Sequence, residues 1–117
     1  MKAELVSSGH ITVEGEKYAH DIVIKGGRIA RRDKGPSKGT KGKYGHTPLT
    51  AAEAIPWGGK RLIVGTGTSG RLSIAPDVYA EAERRGIEIV ALPTREACLL
   101  LADLDPRDVF AILHATC

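Results

Sequence analysis

The residues best suited to chemistry in this chain form a glycine-rich run, a lysine-rich run and a scatter of histidines and cysteines. Gly65-Thr-Gly-Thr-Ser-Gly70 fits a GxGxxG pattern and follows the apolar run Arg61-Leu-Ile-Val. Such a turn brings backbone amides close to a phosphate, because glycine tolerates positive φ and close backbone approach. A dinucleotide site also needs the last glycine inside a helix, and here Arg71-Leu-Ser-Ile-Ala75 intervenes before Pro76. It further needs an acid ending the next strand to hold the ribose. Glu88 comes too early for that, and Arg95 has the wrong sign, although an arginine suits a 2′-phosphate. Two readings stay open: backbone relief at a strand end, or an anion site of another shape formed by Gly65, Thr66, Gly67, Gly70, Arg71, Thr94 and Arg95. No cofactor is assigned.

The second feature is electrostatic. The net charge of +3 hides the stretch from Lys25 to His46, which has eight Lys or Arg against one acid, Asp33, and is +7, leaving −4 for the rest. Residues 33–46 are rich in glycine and lysine and hold no large aliphatic side chain, so they read as a mobile basic loop within one domain. Lys34, Lys38, Lys41 and Lys43 are the candidate contacts to an unidentified protein partner or a small anionic ligand. Lysines attract phosphates without reading bases, and Tyr44 is the only aromatic of the loop. The composition therefore argues against nucleic acid.

The four histidines, at 10, 20, 46 and 114, make no i, i+4 pair. His114-x-x-Cys117 is the one close His/Cys spacing, and two ligands do not make a zinc site, so no metal is expected. A thiol nucleophile with His114 as its base is one reading of that pair, but the carboxylate beside the Cys117 thiol tends to raise its pKa and argues against it; a hydrogen-bonded core or rim histidine is the other. Cys98 flanks a leucine stripe and reads as buried. His20 and Asp21 are successive residues on a strand and should point to opposite faces, which argues against a direct pair.

These residues must be positioned by a small fold. The 117 residues are 42% apolar and 26% charged, the balance of a single globular domain spanning 1–117. No apolar run approaches the ~20 residues that cross a bilayer, and the first residues are polar, so membrane insertion is not expected and a cytoplasmic protein is. Two cysteines without CxxC spacing favour a reducing compartment. Residues 10–14, 21–25 and 28–31 are rich in β-branched residues and read as a β meander whose third strand is an edge. Thr50-Ala-Ala-Glu53 has capping-box spacing, with a short helix stopped by Pro56. Arg61–Gly65, Ile87–Leu92 and Val109–Leu113 read as buried strands. They alternate with a helix over Pro76–Arg85 and another capped by Thr94, with Ala97, Leu100, Leu101 and Leu104 on one face. The alternation predicts an α/β fold with parallel strands.

Six segments carry a resemblance over nearly the whole chain: His20-Asp-Ile-Val-Ile24, Gly45-His-Thr-Pro-Leu49, Leu62-Ile-Val-Gly-Thr-Gly67, Gly70-Arg-Leu-Ser73, Leu92-Pro-Thr-Arg-Glu-Ala97 and Leu113-His-Ala-Thr-Cys117. Together they resemble the adipogenesis-associated methanogen-type domain family, whose relatives include a mitochondrial complex I assembly factor of the NDUFAF type. The resemblance implies a single three-layer β+α/β/α domain with an N-terminal β meander and a mixed, mostly parallel central sheet. It implies no assigned reaction, and it favours a non-catalytic binding or assembly-type protein. The alternative is an anionic small-molecule-binding protein or enzyme with its pocket at the 65–70 glycine loop. The sequence departs from the family pattern in the length of the lysine-glycine loop, in the helix cut short by Pro56, and in Thr68-Ser69-Gly70, where an aromatic contribution is absent.

Overall fold

In the computed structural model, which describes residues 1–40 and 47–117, the chain builds two sheets. Gly9 and Gly15 supply positive φ where tight turns join β1 (Ala3–Ser7), β2 (His10–Val13) and β3 (Glu16–Tyr18) into an antiparallel meander. The second sheet holds β4 (Ile22–Lys25), β5 (Arg28–Arg31), β6 (Arg61–Gly65), β7 (Glu88–Leu92) and β8 (Phe110–Leu113) in the order β5-β4-β8-β6-β7. Pairings of β6 with β7 and β8 are parallel, and those of β4 with β5 and β8 are antiparallel, so the sheet is mixed. The expected meander is thus divided. Residues 10–13 pair with their own neighbours, while β4 and β5 leave to join the main sheet, with β5 on its edge.

Alternation along the central strands sets the layers. Ile22, Ile24, Ile63, Ala111 and Leu113 face one side, where Leu5, Ile11 and Val13 of the small sheet and Ala97, Cys98 and Leu101 of α2 (Thr94–Leu101) cover them. Val23, Leu62, Val64 and Ile112 face the other side, against Leu49, Ile55, Leu72 and Val78 of α1 (Pro76–Arg85) and its approach. The result is the three-layer α/β domain. Helix α1 has the expected bounds, because proline opens it and Gly86 closes it at φ 68°.

Three local expectations fail for stated reasons. Thr94 does not cap α2; Pro93 precedes the helix, and the Thr94 hydroxyl is used elsewhere. Thr50–Glu53 is a turn without a capping box, since both side chains turn inward. Part of the expected loop, Gly35–Thr40, is a 3-10 helix, and residues 41–46, with Lys41 and Lys43, lie outside the described residues. Among the described residues, no helix is long and apolar enough to cross a membrane.

Candidate functional site

The ends of β4 and β8 bring together two residues 93 positions apart. The antiparallel register pairs Ile22 with Leu113, so the residues just outside it, Asp21 and His114, must face each other. His114 Nδ1 lies 2.8 Å from Asp21 Oδ2, and Asp21 Oδ1 accepts the Ala115 N–H at 2.8 Å. Arg32 follows β5 and is held beside Asp21, to whose carbonyl its own N–H donates. Its guanidinium Nη1 donates to Asp21 Oδ2 at 2.9 Å.

The rest of the Arg32 fork grips Glu53, with Nε to Oε1 and Nη2 to Oε2 both at 2.8 Å, and Nη2 also reaches the Pro48 carbonyl. The two side chains are 1% and 3% exposed, so this bidentate pair is a buried one. The Ser37 hydroxyl donates to Glu53 Oε2 and shares a 2.7 Å contact with the Thr50 hydroxyl. Glu53 is thus drawn to a buried cation instead of turning back to cap a helix. His20 lies in the bend before β4, not on a strand as expected, and it still does not pair with the Asp21 side chain. Its Nδ1 meets the Asp21 carbonyl oxygen, not the carboxylate.

Amides of the glycine run are used within the chain. Thr66 N–H donates to Leu92 O, Gly67 N–H to Thr94 Oγ1, and Thr68 N–H to Thr116 O. Ser69 and Arg71 N–H both donate to the Cys117 carbonyl oxygen, at 2.9 and 3.3 Å, and Gly70 N–H turns back to Gly67 O. Thr94 Oγ1 in turn donates to His114 O at 2.7 Å, which ties the start of α2 to the end of β8. Gly67 sits at φ 105°, and a Cβ there would come 2.2 Å from Thr116 O. The loop is therefore a cradle for residues 114–117. Gly65, Thr66, Gly67 and Thr94 converge at its base, Gly70 and Arg71 are exposed on its rim, and Arg95 is directed away, its Nη1 donating to Leu5 O of β1.

Electrostatics follow from these partners. Burial pushes the Asp21 carboxyl up, but His114, the Ala115 N–H and Arg32 outweigh it and hold the group at about 2. Burial disfavours the imidazolium of His114, yet Asp21 and the Cys117 thiol raise its affinity for a proton above the ordinary value. Cys117 is lowered, first by its hydrogen bond to His114 and then, against some burial, by Thr116. Cys98 is pushed up to about 11 by burial. Asp21, His114 and Cys117 thus lie in an acid–imidazole–thiol series whose last link runs through the Thr116 hydroxyl, 3.5 Å from His114 Nε2 and 3.7 Å from Cys117 Sγ.

Beside this series lies a basic cleft. One cavity of about 240 Å³ is lined by His20, Asp21, Arg31, Lys34, Ala115 and Thr116, among others. It shares Arg31, Arg32 and Lys34 with a neighbour of about 420 Å³ that adds Asp33 and Lys38. Arg31, Lys34 and Lys38 have no ion-pair partner among the described residues, whereas Arg32 is neutralised. A larger hollow of about 520 Å³ lies at the opposite end of β6, between Gly58–Arg61 and Phe110. Among the described residues, no group of three His, Cys, Asp or Glu side chains is placed to hold a metal ion. Sequence reasoning missed Asp21 with His114 and Arg32 with Glu53, because the first pair depends on β4 and β8 being neighbours and the second on a turn 21 residues later in the chain.

Residues 3–114 match the family model described as a protein of unknown function, DUF498/DUF598. The chain is similar to the solved structure of the conserved hypothetical protein PH1505 from Pyrococcus horikoshii OT3, with 36% identity, a TM-score of 0.82 and all of both chains covered. It is also similar to a structure described as MT938, with 25% identity and a TM-score of 0.67, over 95% of this chain and 94% of that one. No curated protein matches it. With the family model spanning nearly its whole length and the same fold in both relatives, the chain belongs to the DUF498/DUF598 family of proteins of unknown function.

Proposed function

We propose that this protein is a non-catalytic binding protein whose partner is anionic and sits in the cleft between β5 and the 3-10 helix at Gly35–Thr40. The observation that carries this reading is the set of three cations, Arg31, Lys34 and Lys38, that line adjoining cavities without an acidic partner among the described residues. Unpaired cations on concave walls favour a compact ligand with two or more negative charges, and Asp33 on the same wall limits the excess to about two charges. The 65–70 loop is a weaker host, since its amides already serve residues 114–117. Titrating pyrophosphate and citrate into isotope-labelled protein tests the reading. Amide shifts should cluster at 31–38, and Arg31→Ala and Lys34→Ala should each weaken binding roughly twofold to fivefold, the worth of an exposed ion pair. Shifts confined to other segments would overturn it.

One further observation favours an assembly role of the kind the family resemblance suggests. Leu99 is 73% exposed and Val6 50%, and between α2 and β1 runs an apolar cleft of about 250 Å³ that includes Leu5 and Cys98. A complex lost on Leu99→Glu but kept in Lys34→Ala would support that role; one lost only on removing the cations would support the first.

A further inference from the structure

The strap Gly58-Gly59-Lys60 leads into β6 and lies against the Phe110 ring. A Cβ on Gly58 or Gly59 would come 2.7 or 2.6 Å from that ring, and neither residue has positive φ, so glycine is needed here for space and not for conformation. The amides of Gly58, Gly59 and Lys60 donate to nothing among the described residues, in contrast to those of the 65–70 loop. Two cavities meet on this strap, one of about 520 Å³ and one of about 620 Å³. The first adds Arg61 and an apolar wall with Ile63 and Phe110, and the second adds Arg84, Arg85 and Trp57. In a chain with only 4% aromatic residues, the sole Trp and the sole Phe both border this trough.

Its charge is not balanced. Lys60 and Arg61 have no ion-pair partner among the described residues, and Arg84 and Arg85 share the single carboxylate of Glu81. Arg107 is answered by Asp105, Asp108 is the acid that the lining itself contains, and Glu88 stands beside Arg61 outside it. A positive excess therefore remains. The Arg85 guanidinium lies over the Trp57 indole, 5.3 Å from the ring centre, with its side chain still 41% exposed, so a flat cationic face is open to a further planar group.

We propose that this trough is a second ligand site, for a mononucleotide whose ring stacks on Arg85 beside Trp57 and whose phosphates cross the strap toward Lys60 and Arg61. The planar ring answers the flat cation and the apolar walls, and the phosphate oxygens answer the uncommitted amides and the unpaired cations. A bare anion would use the second set alone. The site lies apart from the cleft at β5 and does not depend on a ligand there.

Because Trp57 is the only tryptophan, its fluorescence reports from this trough. ADP is titrated into the full chain, with pyrophosphate and adenosine as its separate halves, and amide shifts of isotope-labelled protein are followed in parallel. ADP should quench Trp57, shift the amides of Gly58, Gly59 and Lys60, and bind at least about fivefold more tightly than pyrophosphate, the worth of one stacked base. Lys60→Gln and Arg61→Gln should each weaken ADP roughly twofold to fivefold. Arg85→Lys keeps the charge and removes the flat face, so the affinity for ADP should fall to that for pyrophosphate while the latter is unchanged. Equal affinities of the wild-type chain for ADP and pyrophosphate overturn the proposal in favour of a plain polyanion site, as does an ADP preference that survives in Arg85→Lys. Shifts confined to residues 31–38, with Gly58 to Lys60 unmoved, also overturn it and leave the cleft at β5 standing.

Discussion

At the scale of single residues, the most consequential side chain is Arg32. It is 1% exposed, yet every direction of its fork is answered by Asp21, Glu53 or the Pro48 carbonyl. Removing one partner of such a network leaves a charge in low dielectric without compensation, at a cost of about 3–5 kcal/mol. Arg32→Met should be destabilising by that order in urea denaturation. Adding Glu53→Met should recover part of the loss, because an apolar pair of similar size replaces the stranded carboxylate. Strictly additive losses would show that Glu53 does not depend on Arg32. This network was not legible in the sequence. Thr50 and Glu53 have capping-box spacing, and only the proximity of a residue 21 positions earlier diverts the carboxylate.

At the scale of elements, legibility tracked how local the cause is. Helix α1 was readable to its bounds because proline and glycine act on their own turn. The pairing of β4 with β8 was not, because a strand carries no record of a neighbour that arrives about 90 residues later. Once that pairing is known, the register alone places Asp21 opposite His114. The glycine run illustrates the same point: its spacing announced close backbone approach, and what approaches is the chain's own 114–117 segment. Gly67→Ala combines left-handed φ with a clash of Cβ on Thr116 O, and should cost on the order of 2–4 kcal/mol. Gly86→Ala, with φ 68° and open space around its Cβ, should cost about 1 kcal/mol. Hydrogen exchange should separate them further. Protection of the Thr68, Ser69 and Arg71 amides should fall in Gly67→Ala and persist in Gly86→Ala; equal protection in both would refute the cradle.

At the scale of the whole molecule, the acid–imidazole–thiol series ties stability to pH, and the sign differs by group. Asp21 is depressed from an ordinary 3.8 to about 2, so the unfolded chain takes up its proton first as pH falls. Its contribution, roughly 2 kcal/mol, is complete above about pH 5 and is lost progressively toward pH 2. His114 is raised, so its contribution is complete below the unfolded value of 6.5 and is lost as pH rises through its folded value. Cys117 is lowered and runs the other way, gaining as pH rises, and its partial exposure to solvent screens that contribution. The surface pairs of Glu81 with Arg84 and Asp105 with Arg107 are open to solvent and add little to either limb. Urea midpoints taken across this range should form a plateau with an acid limb set by Asp21 and an alkaline limb set by His114. Asp21→Asn should lower the plateau and flatten the acid limb together, since the same carboxylate supports the fold and orients the imidazole. A variant with a lower plateau but an unchanged acid limb would assign that limb to other carboxylates and separate the thiol series from the stability of the domain.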